Sequence, residues 1–247
     1  MRKFLIAILL AAAPALSWAA GGHGAALMNA RVDPNDTASL QNGAKLYVNY
    51  CAGCHSADYM RFSRVASDLG LPPDLVEKYL IFTGVKIGDT MQSAMSKQDA
   101  TRWFGVAPPD LSLIARRRGA DWVYTYLNSF YRDDSKALGW NNLLFPDVGM
   151  PHVLWDLQGI PMPEYSDVQQ GEQTQLVVTG AKVIEGSGSM SAEEYRKATR
   201  DLTNFLDYMG EPIKAYRQAL GVKVILFLLV FFFVAYLLKK EYWKDVH

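Results

Sequence analysis

Long apolar runs stand at both ends of this 247-residue chain, and the segment between them mixes apolar and polar positions. The first run follows two basic residues, Arg2 and Lys3, and ends in small residues. A basic start, a short apolar stretch and a small-residue end are typical of a secretory signal peptide. We therefore predict a signal peptide over residues 1–19, cleaved at Ala19 or Ala20, and export of the mature chain.

The second apolar run, residues 219–238, contains three consecutive phenylalanines and one charge, Lys223, close to its start. Twenty helical residues span about 30 Å, the thickness of a bilayer's hydrocarbon core, so the run predicts one transmembrane helix. Basic residues are nearly balanced on the two sides of this helix, so their count does not set its orientation. The predicted signal peptide does, because it places the segment before the helix outside the cytoplasm. We expect a periplasmic domain over residues 20–213, an anchor over 219–238 and a cytoplasmic tail over 239–247. The chain would then be a single-pass protein of a bacterial inner membrane.

Between the two runs, apolar positions recur with the spacing of short helices, and cap residues stand at several helix ends. The predicted helices are residues 37–50, a segment opened by Asp74, Ser96–Gly105, Asp110–Gly119, residues 120–131 and a segment from the capping box Ser191/Glu194 to Met209. Residues 152–159 and 174–186 have β-branched or alternating character and are predicted to pair as a small hairpin. The expected fold is mostly α with long loops, which suits a core that contains a cofactor.

The charges of the chain balance, with 25 lysines and arginines against 25 aspartates and glutamates. Proteins that bind nucleic acid carry a basic excess, so we expect no nucleic-acid partner. The cysteines are more informative, because the whole chain has two of them. Cys51 and Cys54 stand two residues apart in the segment VNYCAGCHSADYM, and His55 follows directly.

Three kinds of site use a cysteine pair with this spacing. An exported dithiol is normally oxidised to a disulfide, as in thioredoxin-type proteins, but a disulfide does not require His55. A zinc site needs about four ligands, and the whole chain offers two cysteines and four histidines, so a zinc site is disfavoured. The pattern C-x-x-C-H is typical of covalent haem attachment, in which both thiols bond to vinyl groups and the histidine binds iron. We therefore predict one covalently attached haem c at Cys51, Cys54 and His55.

Spacing alone leaves open the ligand on the other side of the iron. A methionine raises the reduction potential and suits electron transfer. Met150 and Met162 each precede a proline, and His152 would give an iron with two histidines. An iron without a second protein ligand would instead suit a haem sensor or a ligand-binding protein.

Five segments follow one another along the chain: GAKLYVNYCAGCH, APPDLSLIARRRG, FPDVGMPHVLWDLQG, TNFLDYMGEP and the C-terminal apolar run. Together they resemble the cytochrome c1 family, the haem-bearing subunit of the cytochrome bc1 complex. The resemblance covers nearly all of the mature chain. It implies a cytochrome c-like haem domain, mostly α with long loops and a small β hairpin, plus one C-terminal transmembrane helix.

The resemblance also implies a set of site residues. The cofactor-binding residues would be Cys51, Cys54, His55, Pro108, Pro109, Arg118 and Met150. Among them, His55 and Met150 would bind the iron, the two prolines would pack against the haem, and Arg118 would pair with a propionate. The family often has a tyrosine near the propionates where this chain has Trp122.

One face of the predicted helix 37–50 has a structural role in this interpretation. Gly43 and Tyr47 lie four residues apart, so they share that face. As in cytochrome c folds, they would pack against Phe205 or Tyr208 of the last helix before the anchor.

The resemblance implies a one-electron carrier of the quinol–cytochrome c oxidoreductase, taking an electron from a Rieske iron–sulfur protein and passing it to a cytochrome c. Cytochrome b would be a further partner, and the chain alone would make no bonds. From Asp133 to Glu211 there are thirteen acidic and five basic residues, which would steer a basic cytochrome c or form an ordinary solvated surface. A stand-alone, membrane-tethered electron shuttle would share the haem motif and the anchor.

Overall fold

A computed structural model describes residues 26–170 and 173–245. The predicted signal peptide lies outside the described residues. The predicted fold class is confirmed, because helices dominate, three small antiparallel hairpins accompany them, and a long apolar helix ends the chain.

The helices alternate with turns and short strands along the chain. They are α1 (Thr37–Leu46), α2 (Phe62–Asp68), α3 (Pro73–Tyr79), α4 (Lys97–Phe104), α5 (Ile114–Arg118), α6 (Ala120–Leu127), α7 (Trp155–Gln158), α8 (Ala192–Gly210) and α9 (Lys214–Tyr242). A π-helical turn, Tyr47–Cys51, continues α1 directly into the cysteine motif. The predicted helix 37–50 is therefore helical throughout, with a wider last turn.

The strands pair within three separate two-stranded sheets. They are β1 (Ala57–Arg61) with β2 (Thr90–Met91), β3 (Phe130–Arg132) with β4 (Trp140–Asn142), and β5 (Pro161–Gln170) with β6 (Gln173–Val183). Phe130 faces Asn142 in the second pair, and Pro161 faces Val183 in the third.

The core is organised around the crossing of α1 and α8. Tyr47 and Phe205 are both fully buried, and their rings lie 5.8 Å apart, which confirms the predicted packing of this helix face. Beside them, the buried carboxylate of Asp201 accepts hydrogen bonds from Ser39 Oγ and Asn42 Nδ2, both at 2.8 Å. These bonds join the two helices and satisfy the buried charge of Asp201.

Gly43 allows this close crossing. A Cβ atom at position 43 would collide with the backbone carbonyl of Asp201 and lie 2.6 Å from Phe205 Cβ. Backbone atoms cannot move aside as a flexible side chain can, so the two helices would have to separate.

Gly43→Ala is therefore expected to lower the free energy of unfolding by about 3 kcal/mol, as overpacking of a core does. Thermal unfolding of the purified holoprotein measures this. Gly88→Ala is the matched control, because a Cβ at Gly88 meets no atom within 4 Å, and we expect a change within about 0.5 kcal/mol. Equal stability of the two variants would contradict the close-crossing argument.

The predicted pairing of residues 152–159 with 174–186 is wrong. Residues 152–159 contain the short helix α7 instead, and β6 pairs with β5. A distant segment of the chain stabilises this helical turn. The carbonyls of Asp156 and Leu157 accept hydrogen bonds from the backbone amides of Ser189 and Met190. These contacts join α7 to the segment before α8 and leave Pro161–Gln170 to form the hairpin.

Two predicted helix starts also need correction. Asp110 does not open a helix, because α5 begins at Ile114. The Asp110 carboxylate instead accepts the backbone amides of Asp58 and Ser112, both at 2.8 Å. Asp74 lies in the first turn of α3, which begins one residue earlier at Pro73.

Other predicted caps are confirmed. Ser96 accepts the Asp99 amide at the start of α4, and Gly105 ends that helix with a φ of 76°. At the start of α8, Ser191 and Glu194 form the reciprocal capping box.

The C-terminal helix α9 has 29 residues, equivalent to about 43 Å at 1.5 Å per residue. Among the described residues it is the one helix long and apolar enough to cross a membrane, and none of its residues is buried. Lys214 Nζ lies 2.6 Å from Asp207 Oδ2, so a salt bridge links the start of α9 to the end of α8.

Candidate functional site

A largely apolar cavity of about 530 Å³ lies beside the cysteine motif. Its volume falls within the roughly 300–1,000 Å³ typical of ligand pockets. All seven site residues expected from the sequence line it: Cys51, Cys54, His55, Pro108, Pro109, Arg118 and Met150. The fold thus brings together residues that are up to 99 positions apart.

The cysteine motif forms one wall of the cavity. The backbone amides of Cys54 and His55 donate to the carbonyl of Cys51, at 3.0 and 2.8 Å, so the motif closes into a single turn. Tyr47 stabilises this turn, because its hydroxyl donates a hydrogen bond to the His55 carbonyl at 2.9 Å. One helical turn can therefore present both thiols and the imidazole to one ligand.

Cys51 is buried and Cys54 is half-buried. Burial, with a smaller contribution from Cys54, raises the pKa of the Cys51 thiol to about 12. Burial also raises the pKa of Cys54. A redox dithiol of the thioredoxin type needs the opposite shift. Within residues 26–170 and 173–245, no group of three His, Cys, Asp or Glu side chains is placed to hold a metal ion.

His55 is oriented by the proline loop. Its Nδ1 lies 2.7 Å from the carbonyl oxygen of Pro109, which can only accept, so Nδ1–H donates and the lone pair of Nε2 is available to a metal ion. Burial lowers the pKa of His55 and favours the neutral imidazole that a metal needs. The loop itself is held by the Leu111 amide, which donates to the Ser56 carbonyl at 2.8 Å.

The three candidates for the second iron ligand lie in different places. Met150 lines the cavity, and its sulfur accepts a hydrogen bond from Tyr126 Oη at 3.4 Å. Met162 lies on β5, 43% exposed, and is not among the residues that line the cavity. His152 is buried outside the cavity, with Nε2 at 2.6 Å from Gln158 Oε1 and its ring stacked on Phe130.

Arg118 lies at the exposed rim of the cavity. Its guanidinium carbon is 4.8 Å from the ring centroid of Trp122 and 5.9 Å from that of Phe145. These cation–π contacts hold the positively charged guanidinium at the opening of the cavity. Arg117 lines the same rim, so two cations are available there to an anionic group.

Comparison with known proteins determines the family. The family model described as "Cytochrome C1 family" matches residues 28–246. The chain belongs to the cytochrome c1 family. It is 51% identical to cytochrome c1 of Allochromatium vinosum over all of both chains. It is 26% identical to the mitochondrial cytochrome c1 haem protein of Saccharomyces cerevisiae, over 95% of this chain and 73% of that one.

A further relative has a different name. The chain is 49% identical to a Nitrosomonas europaea protein called "Ammonia monooxygenase gamma subunit", over all of this chain and 99% of that one. The match is as extensive as that to the Allochromatium protein, so overall similarity does not separate the two names.

Family membership makes this chain a haem-bearing, membrane-anchored electron-transfer subunit of the bc1 type, and it implies cytochrome b and a Rieske protein in the same complex. The cavity fits such a cofactor, because its walls are largely apolar and it exposes two thiols, an oriented imidazole and a thioether.

Sequence reasoning named Trp122 without including it among the site residues, and it missed Tyr126. Trp122 and Tyr126 both line the cavity, with their rings stacked 5.1 Å apart. Their spacing of four residues on α6 was the available signal, since residues four apart share a helix face. The resemblance associated position 122 with the haem, but nothing in the sequence indicated that Tyr126 would line the same cavity.

Proposed function

We propose that this chain carries one haem c, bonded through Cys51 and Cys54 and bound at iron by His55 and Met150. The observation that carries the proposal is the shared cavity, which all four side chains line. The hydrogen bond from His55 Nδ1 to Pro109 supports it, because that bond leaves the other ring nitrogen for the metal. When bound, the haem supplies one-electron redox chemistry.

The remaining residues hold the cofactor and control its surroundings. Pro108 and Pro109 pack against the haem, and the Pro109 carbonyl also orients His55. Arg118 pairs with a propionate at the cavity rim, a charge-assisted contact. The apolar walls keep water from the iron and favour a high potential for a His/Met pair.

The protein accepts an electron from a Rieske iron–sulfur protein and passes it to a cytochrome c. Rieske centres reach roughly +300 mV, so the acceptor needs a high potential, which methionine ligation favours. Exposed carboxylates in the acidic segment, such as Glu185 and Glu193, are available to steer a basic cytochrome c.

The chain is arranged as a signal peptide over residues 1–19, a periplasmic haem domain over 20–213, an anchor over 219–238 and a cytoplasmic tail over 239–247. Helix α9 supports the anchor, because it extends beyond residues 219–238 at both ends. The membrane would be the bacterial inner membrane.

Gentle solubilisation of the membrane tests the complex. We expect the polypeptide to purify with a b-type cytochrome and a Rieske protein, and the mixture to reduce cytochrome c with a quinol. Purification of the haem protein alone would support the stand-alone shuttle instead.

The name of the Nitrosomonas europaea relative provides a second candidate, a subunit of an ammonia monooxygenase. The same purification distinguishes the two, because this candidate requires copurification with monooxygenase subunits and no quinol–cytochrome c activity. The cavity with its C-x-x-C-H wall favours the bc1 assignment, since an electron carrier uses such a site directly.

A further inference from the structure

Tyr126 is held rigidly in the wall of the cavity. Its ring stacks on Trp122 at 5.1 Å and 10°, and packs edge-on against Phe130 at 5.0 Å. Its backbone carbonyl accepts a hydrogen bond from Asn142 Nδ2 at 2.8 Å. These two ring contacts and the backbone hydrogen bond leave the hydroxyl little freedom to move.

The Tyr126 hydroxyl lies 3.4 Å from the sulfur of Met150, and the hydroxyl is the donor. A phenol donates well, and a thioether sulfur is a weak acceptor with two lone pairs. One sulfur lone pair can therefore accept this bond while the other remains available to a metal.

We infer that Tyr126 is a positioning residue that holds the Met150 sulfur and raises the reduction potential of the haem by donating a hydrogen bond to it. The inference rests on the proposed ligation of iron by Met150. A donor on the sulfur withdraws electron density from it. Because ferric iron needs that density more than ferrous iron does, the oxidised form loses more stability. Hydrogen bonds to ligand atoms are one of the ways in which a protein tunes a haem.

The test compares two tyrosines on the same helix in the full-length holoprotein. Tyr126→Phe removes the hydroxyl and keeps the stacked ring. Tyr124→Phe is the control, because Tyr124 is buried on α6, its hydroxyl donates to the Arg196 carbonyl at 3.3 Å, and it does not line the cavity. Redox titration gives the potential, and the weak absorption band from sulfur to ferric iron reports the ligand.

We expect Tyr126→Phe to keep the sulfur band and to lower the equilibrium constant for reduction about threefold to tenfold. Tenfold corresponds to about 59 mV for a one-electron couple. Tyr124→Phe should leave the potential unchanged. A fluorinated tyrosine at position 126, which is a stronger donor, should raise the potential above that of the wild type.

An unchanged potential in Tyr126→Phe, or equal shifts in both variants, would overturn the inference. The ligand assignment is checked separately with Met150→Leu. If that variant loses the sulfur band while Tyr126→Phe has the wild-type potential, the ligation stands and only the role of Tyr126 fails. If Met150→Leu keeps the band, both the ligation and the inference fail.

Discussion

Met150→Leu is expected to abolish the sulfur-to-iron absorption band and to lower the reduction potential by about a few tenths of a volt, within the roughly 0.8 V over which axial ligands tune haems. Leucine fills a similar volume without a sulfur, so the cavity wall is kept while the ligand is lost. The vacated position also opens the iron to small ligands. We therefore expect the reduced variant to bind carbon monoxide rapidly and the wild-type protein not to do so.

Met162→Leu is the matched control for this experiment. Met162 lies on β5, outside the cavity, so its replacement should change neither the band nor the potential. The assignment of Met150 is wrong if Met150→Leu leaves both intact and Met162→Leu removes them. Rapid carbon monoxide binding by the reduced wild-type protein would instead favour a sensor with an open iron.

Replacement of both cysteines, Cys51→Ala with Cys54→Ala, is expected to abolish covalent haem attachment entirely. Each thiol is proposed to form one bond to the porphyrin, so either single variant should keep one thioether. The mass of the denatured polypeptide measures this directly, because the wild-type chain should carry one additional haem. The same wild-type sample should have no thiol that alkylates after reduction, whereas a disulfide would release two.

Ser93→Ala is the control for the cysteine variants. The Ser93 hydroxyl donates to the Gly53 carbonyl at 2.8 Å, so it supports the motif from outside without facing the cofactor. We expect this variant to retain haem covalently. A double cysteine variant whose denatured polypeptide still carries haem would contradict the thioether assignment.

Some features of this protein follow from residues close together in the chain. The capping box of Ser191 and Glu194, and the end of α4 at Gly105, depend on bonds that span three or four residues. The C-x-x-C-H motif is equally local, since one turn holds its groups. The long apolar run needs no partner within the chain to form a helix. These elements could be predicted because their interactions are contained in the sequence segment itself.

Other features were predicted wrongly or left open because their partners are distant. Residues 152–159 are too short for their apolar pattern to separate a strand from a helix. Contacts with Ser189 and Met190 accompany the helical turn there. Asp110 has the residue type of a helix cap, but it accepts a bond from Asp58, 52 positions away.

The sequence by itself predicted a haem cofactor, the fold class and the C-terminal membrane helix, each through local patterns. The tertiary structure alone decided which methionine shares a cavity with His55, and that Tyr126 donates to that methionine. Met150 and Met162 have the same local signature, a methionine before a proline. They differ in where the chain places them, and that placement depends on the packing of the π-helical turn, α6 and α8 around one cavity.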